Sequence, residues 1–197
     1  FRIRMSDTDI IDQLKQGSEA AFKKLVGTHQ KLVVNTCYGL VQNREDAEDI
    51  AQDVFVEVYR NIDKFRADAK LSTWLYRIAV NRSLNHIRDN KKRKWFHSFE
   101  DEVANKRREA MQVSTSNTDE PEYELENQQR AIILREAINS LPQNQKVAFT
   151  LSKYEELSYQ EIAEVMDLSV SSVESLLFRA KKGLQKKLYK CYKKKCL

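Results

Sequence analysis

The sequence predicts an all-α protein of two small helical domains joined by a flexible acidic linker, with a helix-turn-helix in the C-terminal domain. Its 197 residues suffice for two small domains, and 41% hydrophobic with 32% charged residues allow buried cores beneath charged surfaces. Only 4 Gly and 2 Pro occur, which favours long helices over short strands joined by tight turns. Apolar residues also recur at helical spacing in both halves. We place the domains at residues 5–94 and 125–190, with the linker at 95–124.

The N-terminal half begins with a short helix. Ile10, Ile11 and Leu14 form its apolar stripe, Gly17 ends it, and Ser18 is typical of the N-cap of the next helix. A third helix has the clearest pattern, because its apolar residues are spaced so that all lie on one buried face: Ala47, Ile50, Ala51, Val54, Phe55, Val58, Tyr59 and Ile62.

The opposite face of this third helix is acidic. Six acids precede the next base, Arg60, and they are Glu45, Asp46, Glu48, Asp49, Asp53 and Glu57. Acids are favourable near the N-terminus of a helix, so a solvated surface is one interpretation. Such a strip is also unfavourable for DNA and suitable for a protein partner, which is the other interpretation.

The middle of the chain changes character. Residues 95–124 carry eight acids against three bases, and the part at 113–122 has a single apolar residue. Such a segment cannot bury a core, so we predict a linker. Pro142 is expected to end the helix that follows, whose apolar positions are Ile132, Ile133, Leu134, Ala137, Ile138 and Leu141. A further helix carries Val147, Ala148, Leu151 and Tyr154.

The C-terminal half contains a helix-turn-helix pattern. Ser158 and Glu161 have the spacing of a capping box, and a turn at 167–169 separates the first helix from the second. After Glu174, nine basic residues and no acid follow. A lysine-rich, solvated helix end is one interpretation, and DNA binding is the other. The candidate DNA-reading side chains at the start of the second helix are Ser171, Ser172, Glu174, Ser175, Phe178, Arg179 and Lys182.

A second nucleic-acid surface is predicted on the helix that opens at Thr73. Apolar residues of this helix can pack on the third helix, and its other face carries Tyr76, Arg77, Asn81, Asn85 and Arg88. Aromatic rings, amides and arginines beside the basic run at 88–94 suit unstacked bases, which need a stacking partner, hydrogen bonds and charge for the backbone. An ordinary amphipathic helix is the alternative.

Five segments resemble a known family. DAEDIAQDVF (46–55) and TWLYRIAVN (73–81) resemble the second conserved region of the extracytoplasmic-function sigma factors of bacterial RNA polymerase. LP (141–142), LSYQEIA (157–163) and SVESLLFRAK (172–181) resemble the fourth region. The resemblance spans nearly the whole chain in the right order. It implies a sigma factor that directs core RNA polymerase to promoters, with core polymerase, promoter DNA and an anti-sigma factor as partners.

The resemblance also implies a role for each surface. The clamp helices of the largest polymerase subunit would contact Asp49, Gln52, Asp53 and Glu57. One strand of the opened −10 element would be captured by Asn61, Phe65, Arg66, Tyr76, Arg77, Asn81 and Arg88. The −35 duplex would be read by Ser171, Ser172, Glu174, Ser175, Phe178, Arg179 and Lys182.

The sequence departs from the family at two of these places. Many relatives carry Arg where this chain has Glu174, and relatives often have Asp where it has Asn85. A carboxylate repels phosphate and can accept a hydrogen bond from the amino group of cytosine. The departure at Glu174 therefore leaves the preferred −35 sequence open.

Other classes of function are disfavoured. No phosphate loop, nucleophile elbow or metal-ligand spacing occurs, so we predict neither an enzyme nor a cofactor or metal. Cys37, Cys191 and Cys196 cannot all pair within one chain, which indicates reduced thiols in a cytoplasm; a zinc or redox role for the last two stays open. No run of 18 apolar residues occurs, so we expect no membrane insertion and a monomer when free. The alternative function is a helix-turn-helix transcription regulator that acts independently of the polymerase core.

Overall fold

The structure is a computed structural model that describes residues 7–65, 70–100 and 121–193, with only the backbone at 94–100, 121–128 and 191–192. Within these ranges all regular elements are helical, which confirms the all-α prediction. The N-terminal domain comprises α1 (Asp7–Lys15), α2 (Glu19–Val41), α3 (Arg44–Asn61), a 3-10 turn (Ile62–Lys64) and α4 (Leu71–Glu100). The C-terminal domain comprises α5 (Pro121–Asn139), α6 (Gln143–Lys153), α7 (Tyr159–Met166) and α8 (Val170–Lys193).

Side-chain caps fix the helix starts in the N-terminal domain. The Ser18 hydroxyl accepts a hydrogen bond from the backbone N–H of Ala21 at 3.3 Å, which confirms Ser18 as the N-cap of α2. The Asn43 side chain accepts from the N–H of Asp46 at 3.1 Å and caps α3 in the same way. Both caps satisfy amide donors that have no partner within the first turn of a helix.

The core of the N-terminal domain lies between α2, α3 and α4. Leu25, Val54 and Leu75, one from each helix, are completely buried, and each contributes about 1.5–3 kcal/mol. The predicted buried face of α3 is confirmed at seven of its eight positions, but Tyr59 was wrongly placed there and is 43% exposed. The Tyr59 ring lies at the border of the face and makes an edge contact with Phe22, so one side of it remains open to solvent.

The C-terminal domain buries less of α5 than the sequence predicted. Ala137, Ile138 and Leu141 are buried, whereas Ile132 and Leu134 are 38% and 43% exposed because the described neighbours cover only the C-terminal part of this helix. The helix ends at Asn139, and Pro142 is the N-cap of α6. The sequence also placed Tyr154 in the core, but it follows the end of α6 and is 45% exposed.

Both ends of the segment predicted to be a linker are helical. Helix α4 continues through residues 95–100, and α5 begins at Pro121, a residue that is favoured in the first turn of a helix. The remaining linker residues, 101–120, lie outside the described ranges.

The two domains are packed against each other. Helix α2 contacts α6, and α4 contacts α7. One buried apolar cluster draws on both domains, with Leu40, Tyr76 and Val80 from the N-terminal domain and eight buried residues from the C-terminal domain, including Leu151 and Ile162. The sequence gave no sign of this shared core, because each half shows a complete amphipathic pattern of its own.

Candidate nucleic-acid surfaces and an acidic surface

The outer face of α3 is an exposed acidic surface. Asp49, Gln52 and Asp53 are exposed on it, as the sequence predicted. Glu57 differs, because its carboxylate is partly buried and pairs with Arg82 of α4. Three of the four candidate polymerase-binding side chains are therefore presented outward, and the fourth joins α3 to α4.

The sequence analysis missed an apolar component of this surface. Val56 is 45% exposed and Tyr59 is 43% exposed, and both lie on α3 beside the acids. Val56 breaks the helical spacing between Val54 and Val58, and this irregularity was the signal available in the sequence. Acids bordered by exposed apolar side chains suit a protein partner better than a surface that only contacts water.

The candidate −10 residues near the end of α3 are held by local contacts. The Asn61 amide donates to the Glu57 carbonyl at 3.0 Å, and its oxygen accepts from the Lys64 ammonium at 2.7 Å. Phe65 is buried, with its ring 5.2 Å from that of Trp74. Arg66 lies outside the described residues. In this structure Phe65 supports the start of α4 and is not itself free to stack on a base.

Two candidate −10 residues on α4 contact the C-terminal domain. The Tyr76 hydroxyl donates to Oε2 of Glu155 at 3.1 Å, and the Tyr76 ring is only 6% exposed. The Arg77 guanidinium donates to the Glu164 carbonyl, at 3.0 Å from Nε and 2.6 Å from Nη2. Both side chains point away from α3, as predicted, but they face the other domain.

The rest of α4 presents an open basic surface. Asn81 is exposed, and Arg88 is exposed and paired with the adjacent Asp89 at 3.3 Å. Lys91, Lys92 and Arg93 continue this exposed basic run. Because the run is open to solvent, it can neutralise backbone phosphates without any rearrangement.

The helix-turn-helix starts with the predicted capping box. The Ser158 hydroxyl accepts from the Glu161 N–H at 3.3 Å, and the Glu161 carboxylate accepts from the Ser158 N–H at 3.1 Å. Hydrogen bonds from Ser158 hold the pKa of Glu161 below its ordinary value. Helix α7 then ends at Asp167, whose left-handed backbone (φ 53°) turns the chain toward α8.

Ser169 caps α8 and was missed as a functional residue. Its hydroxyl accepts from the N–H of Ser172 at 3.3 Å and lies 3.1 Å and 2.8 Å from the hydroxyls of Ser171 and Ser172. The available signal was its position, since a serine directly before a helix is a typical N-cap. The serine hydroxyls therefore form a cluster where backbone N–H groups favour an anion.

All seven candidate −35 residues are exposed on α8. Phe178 is 59% exposed, and the Lys182 ammonium lies 4.6 Å from the centre of its ring. This cation–π contact holds Lys182 beside the ring. Glu174 lies one turn before Phe178 and places a negative charge within an otherwise basic surface.

Two buried ionisable groups lie between the domains. Burial raises the pKa of Glu155 to about 7, and the hydrogen bond from Tyr76 opposes part of that rise. The Oε1 atom of Glu155 is buried without a hydrogen-bond partner in the described part of the chain. The Lys146 ammonium donates to the Leu40 carbonyl and the Asn139 side chain, each at 2.6 Å, while burial lowers its pKa to about 8.

Cys37 is buried in the core of the N-terminal domain, and burial raises the pKa of its thiol to about 11. The side chains of Cys191 and Cys196 lie outside the described set. Among the residues that the structure describes, no helix is both long and apolar enough to span a bilayer.

The fold and its surfaces define a two-domain transcription factor with a helix-turn-helix, and comparison with known proteins gives its class. Residues 25–93 match the family Sigma-70 region 2, and residues 131–184 match Sigma-70, region 4. The chain is 33% identical to the ECF RNA polymerase sigma-E factor of Haemophilus influenzae, covering 94% of this chain and 96% of that protein. It is also 33% identical to the ECF RNA polymerase sigma factor SigW of Bacillus subtilis, covering 90% and 94% respectively.

A solved structure shares the fold. The structure of CnrH in complex with the cytosolic domain of CnrY superposes with a TM-score of 0.62 at 22% identity, covering 92% of this chain and 96% of that one. The chain belongs to the extracytoplasmic-function (ECF) family of RNA polymerase sigma factors. It binds core RNA polymerase and promoter DNA, directs the polymerase to promoters, and is not an enzyme. The region 2 match also removes the alternative of a regulator that acts without polymerase.

Proposed function

We propose that the sigma factor divides its work among three surfaces. The acidic face of α3 binds the polymerase core, the N-terminal domain captures one strand of the −10 element, and the start of α8 reads the −35 duplex. The observation that carries this proposal is the exposure of all seven predicted side chains at the start of α8, together with the outward acids of α3. Basic charge lies on α8 and at the end of α4, and acidic charge lies on α3, as the separate partners require.

The −35 contacts follow from the chemistry of α8. Serine hydroxyls at its N-terminus suit phosphate oxygens, and Arg179 suits guanine or phosphate. Glu174 accepts a hydrogen bond from a cytosine amino group, so it selects the base pairs that it faces.

Charge reversal on α3 tests the division of labour. Asp53→Arg places a cation on the acidic surface without disturbing the buried face, and we expect at least a tenfold loss of core binding and of run-off transcription with purified core polymerase. Glu136→Arg, an equal charge change at an exposed site on α5, is the matched control and keeps both activities. Wild-type core affinity in Asp53→Arg would show that the acidic face has been assigned incorrectly.

An anti-sigma partner belongs to the same proposal, as does a cytoplasmic location beside the polymerase. CnrH, which shares the fold, is held by the cytosolic domain of CnrY. A protein from the same cell that binds this chain and abolishes run-off transcription by the purified holoenzyme would fulfil the expectation. Full transcription in the presence of every such binding protein would contradict it.

A further inference from the structure

The closest approach between the two domains occurs where α2 crosses α6. A Cβ atom added to Gly39 would lie 2.5 Å from Cγ2 of Thr150, and its three nearest neighbours are all atoms of Thr150. The Thr150 hydroxyl also donates to the Gly39 carbonyl at 3.4 Å. Contacts of 2.5 Å between carbon atoms do not occur in proteins, so glycine is required at position 39 for this packing. The approach is therefore specific to this residue pair.

Polar contacts surround this approach and satisfy groups that would otherwise lack partners. The Lys146 ammonium reaches across the domain boundary to the Leu40 carbonyl, in the last turn of α2, where carbonyls lack helical acceptor partners. Lys70 pairs with Glu161 at 3.2 Å on the outer edge. Together with the contacts of Tyr76 and Arg77, these bonds connect α2 and α4 to the C-terminal domain at several points.

This packed arrangement is too short to span a promoter. Elements separated by about 17 base pairs lie on the order of 60 Å apart along the duplex. Arg77 contacts Glu164, and Ser171 follows only seven residues later. Seven residues extend at most about 25 Å, so the −10 and −35 surfaces are less than half the required distance apart. The domains must separate before both elements can be bound.

We propose that the free sigma factor holds itself closed through its own two domains, with Gly39 and Thr150 as the steric key, and that this closure blocks promoter recognition until the domains part. The promoter-blocking part rests on the proposed function. Closure occupies Tyr76 and Arg77 but leaves the acids of α3 exposed. Core polymerase can therefore bind the closed form first and favour the open one.

Small-angle X-ray scattering on the full chain, without polymerase or DNA, tests closure. Four proteins are compared: wild type, Gly39→Ala, Thr150→Ser and the double variant. Alanine is a better helix former than glycine, so Gly39→Ala does not weaken α2 itself. Thr150→Ser removes Cγ2 and leaves atoms at 3.7 Å from the added Cβ, which is an ordinary contact distance. Circular dichroism checks that helix content is unchanged.

We expect the wild type and Thr150→Ser to be compact, near the radius of gyration of about 16 Å typical of a folded chain of this length. Gly39→Ala should shift the equilibrium toward the open form by about tenfold, a usual result of overpacking, and so increase the radius. The double variant should return to the wild-type radius. Glu155→Arg, which places a larger charged side chain in the same interface without altering α2, should open the chain independently.

Equal radii in folded Gly39→Ala, Glu155→Arg and wild type would overturn the proposal, and so would an expanded wild type. Run-off transcription by the same proteins with core polymerase separates this result from the proposed function. If none of them directs transcription, the assignment of promoter surfaces fails while closure, measured by scattering alone, still stands.

Discussion

Closure of the two domains should depend on pH through Glu155. Its pKa is about 7 in the closed structure, because burial raises it from the ordinary value of 4.5. Between these two values the closed form holds a proton that the open form has released. Lower pH therefore favours closure, and the advantage is lost as the pH rises through about 7.

The other groups that face Glu155 do not titrate in this window. Tyr76 on α4 and Cys37 on α2 have pKa values raised by burial, and both stay neutral. The pKa of Glu161 on α7 lies below its ordinary value, and that of Lys146 is about 8, above the range. One proton can change the closed-to-open ratio by at most tenfold per pH unit. Because Glu155 is half-buried and water screens its charge, we expect about threefold per unit.

The assay is scattering on Gly39→Ala, whose domains are partly separated and so respond to small changes. Its radius of gyration should fall as the pH is lowered from about 7 to about 5, over which closure is favoured by roughly tenfold. Glu155→Gln in the same background keeps an oxygen that accepts from Tyr76 but cannot titrate, and its radius should stay small throughout. An identical pH profile in both proteins would refute the role of Glu155, because the histidines are common to both.

Two further predictions concern the helix-turn-helix. Ser158→Ala removes the side-chain acceptor of the capping box and should lower the unfolding free energy of the C-terminal domain by about 1 kcal/mol, measured by urea unfolding; an unchanged midpoint at equal slope would contradict it. Arg179→Ala should weaken holoenzyme binding to promoter DNA by about tenfold, measured by fluorescence anisotropy, with Glu136→Arg as the unaffected control; equal affinity would show that Arg179 does not contact the −35 duplex.

Local signals in the sequence predicted most of the fold. Ser18 and Ser158 mark helix starts because a cap depends on a few neighbouring residues, and the structure confirms both. The spacing of Val54 and Val58 identified the buried face of α3 for the same reason. Errors occurred at the borders of such faces, as at Tyr59 and Ile132, where exposure depends on how far a neighbouring helix extends.

The surfaces were predictable to a different degree. The serines at the start of α8 and the acids of α3 were found because exposed polar residues at a helix start, or on one face, are visible in the sequence. The burial of Tyr76 was not predictable, since its partner Glu155 lies 79 residues away and belongs to another domain. Gly39 gave no signal either, because a glycine within a helix is explained only by the atom that approaches it.

Closure also links affinity to regulation. A ligand that needs the open form binds more weakly by the fraction of molecules that are open, whereas a ligand that tolerates both forms loses nothing. The exposed acids of α3 accept a partner in either form, but promoter DNA requires Tyr76 and Arg77 to leave Glu155 and Glu164. Polymerase binding and promoter binding are therefore ordered by the structure. Any partner that bridges the domains in the closed form, including an anti-sigma factor, would inhibit without covering a single base-contacting side chain on α8.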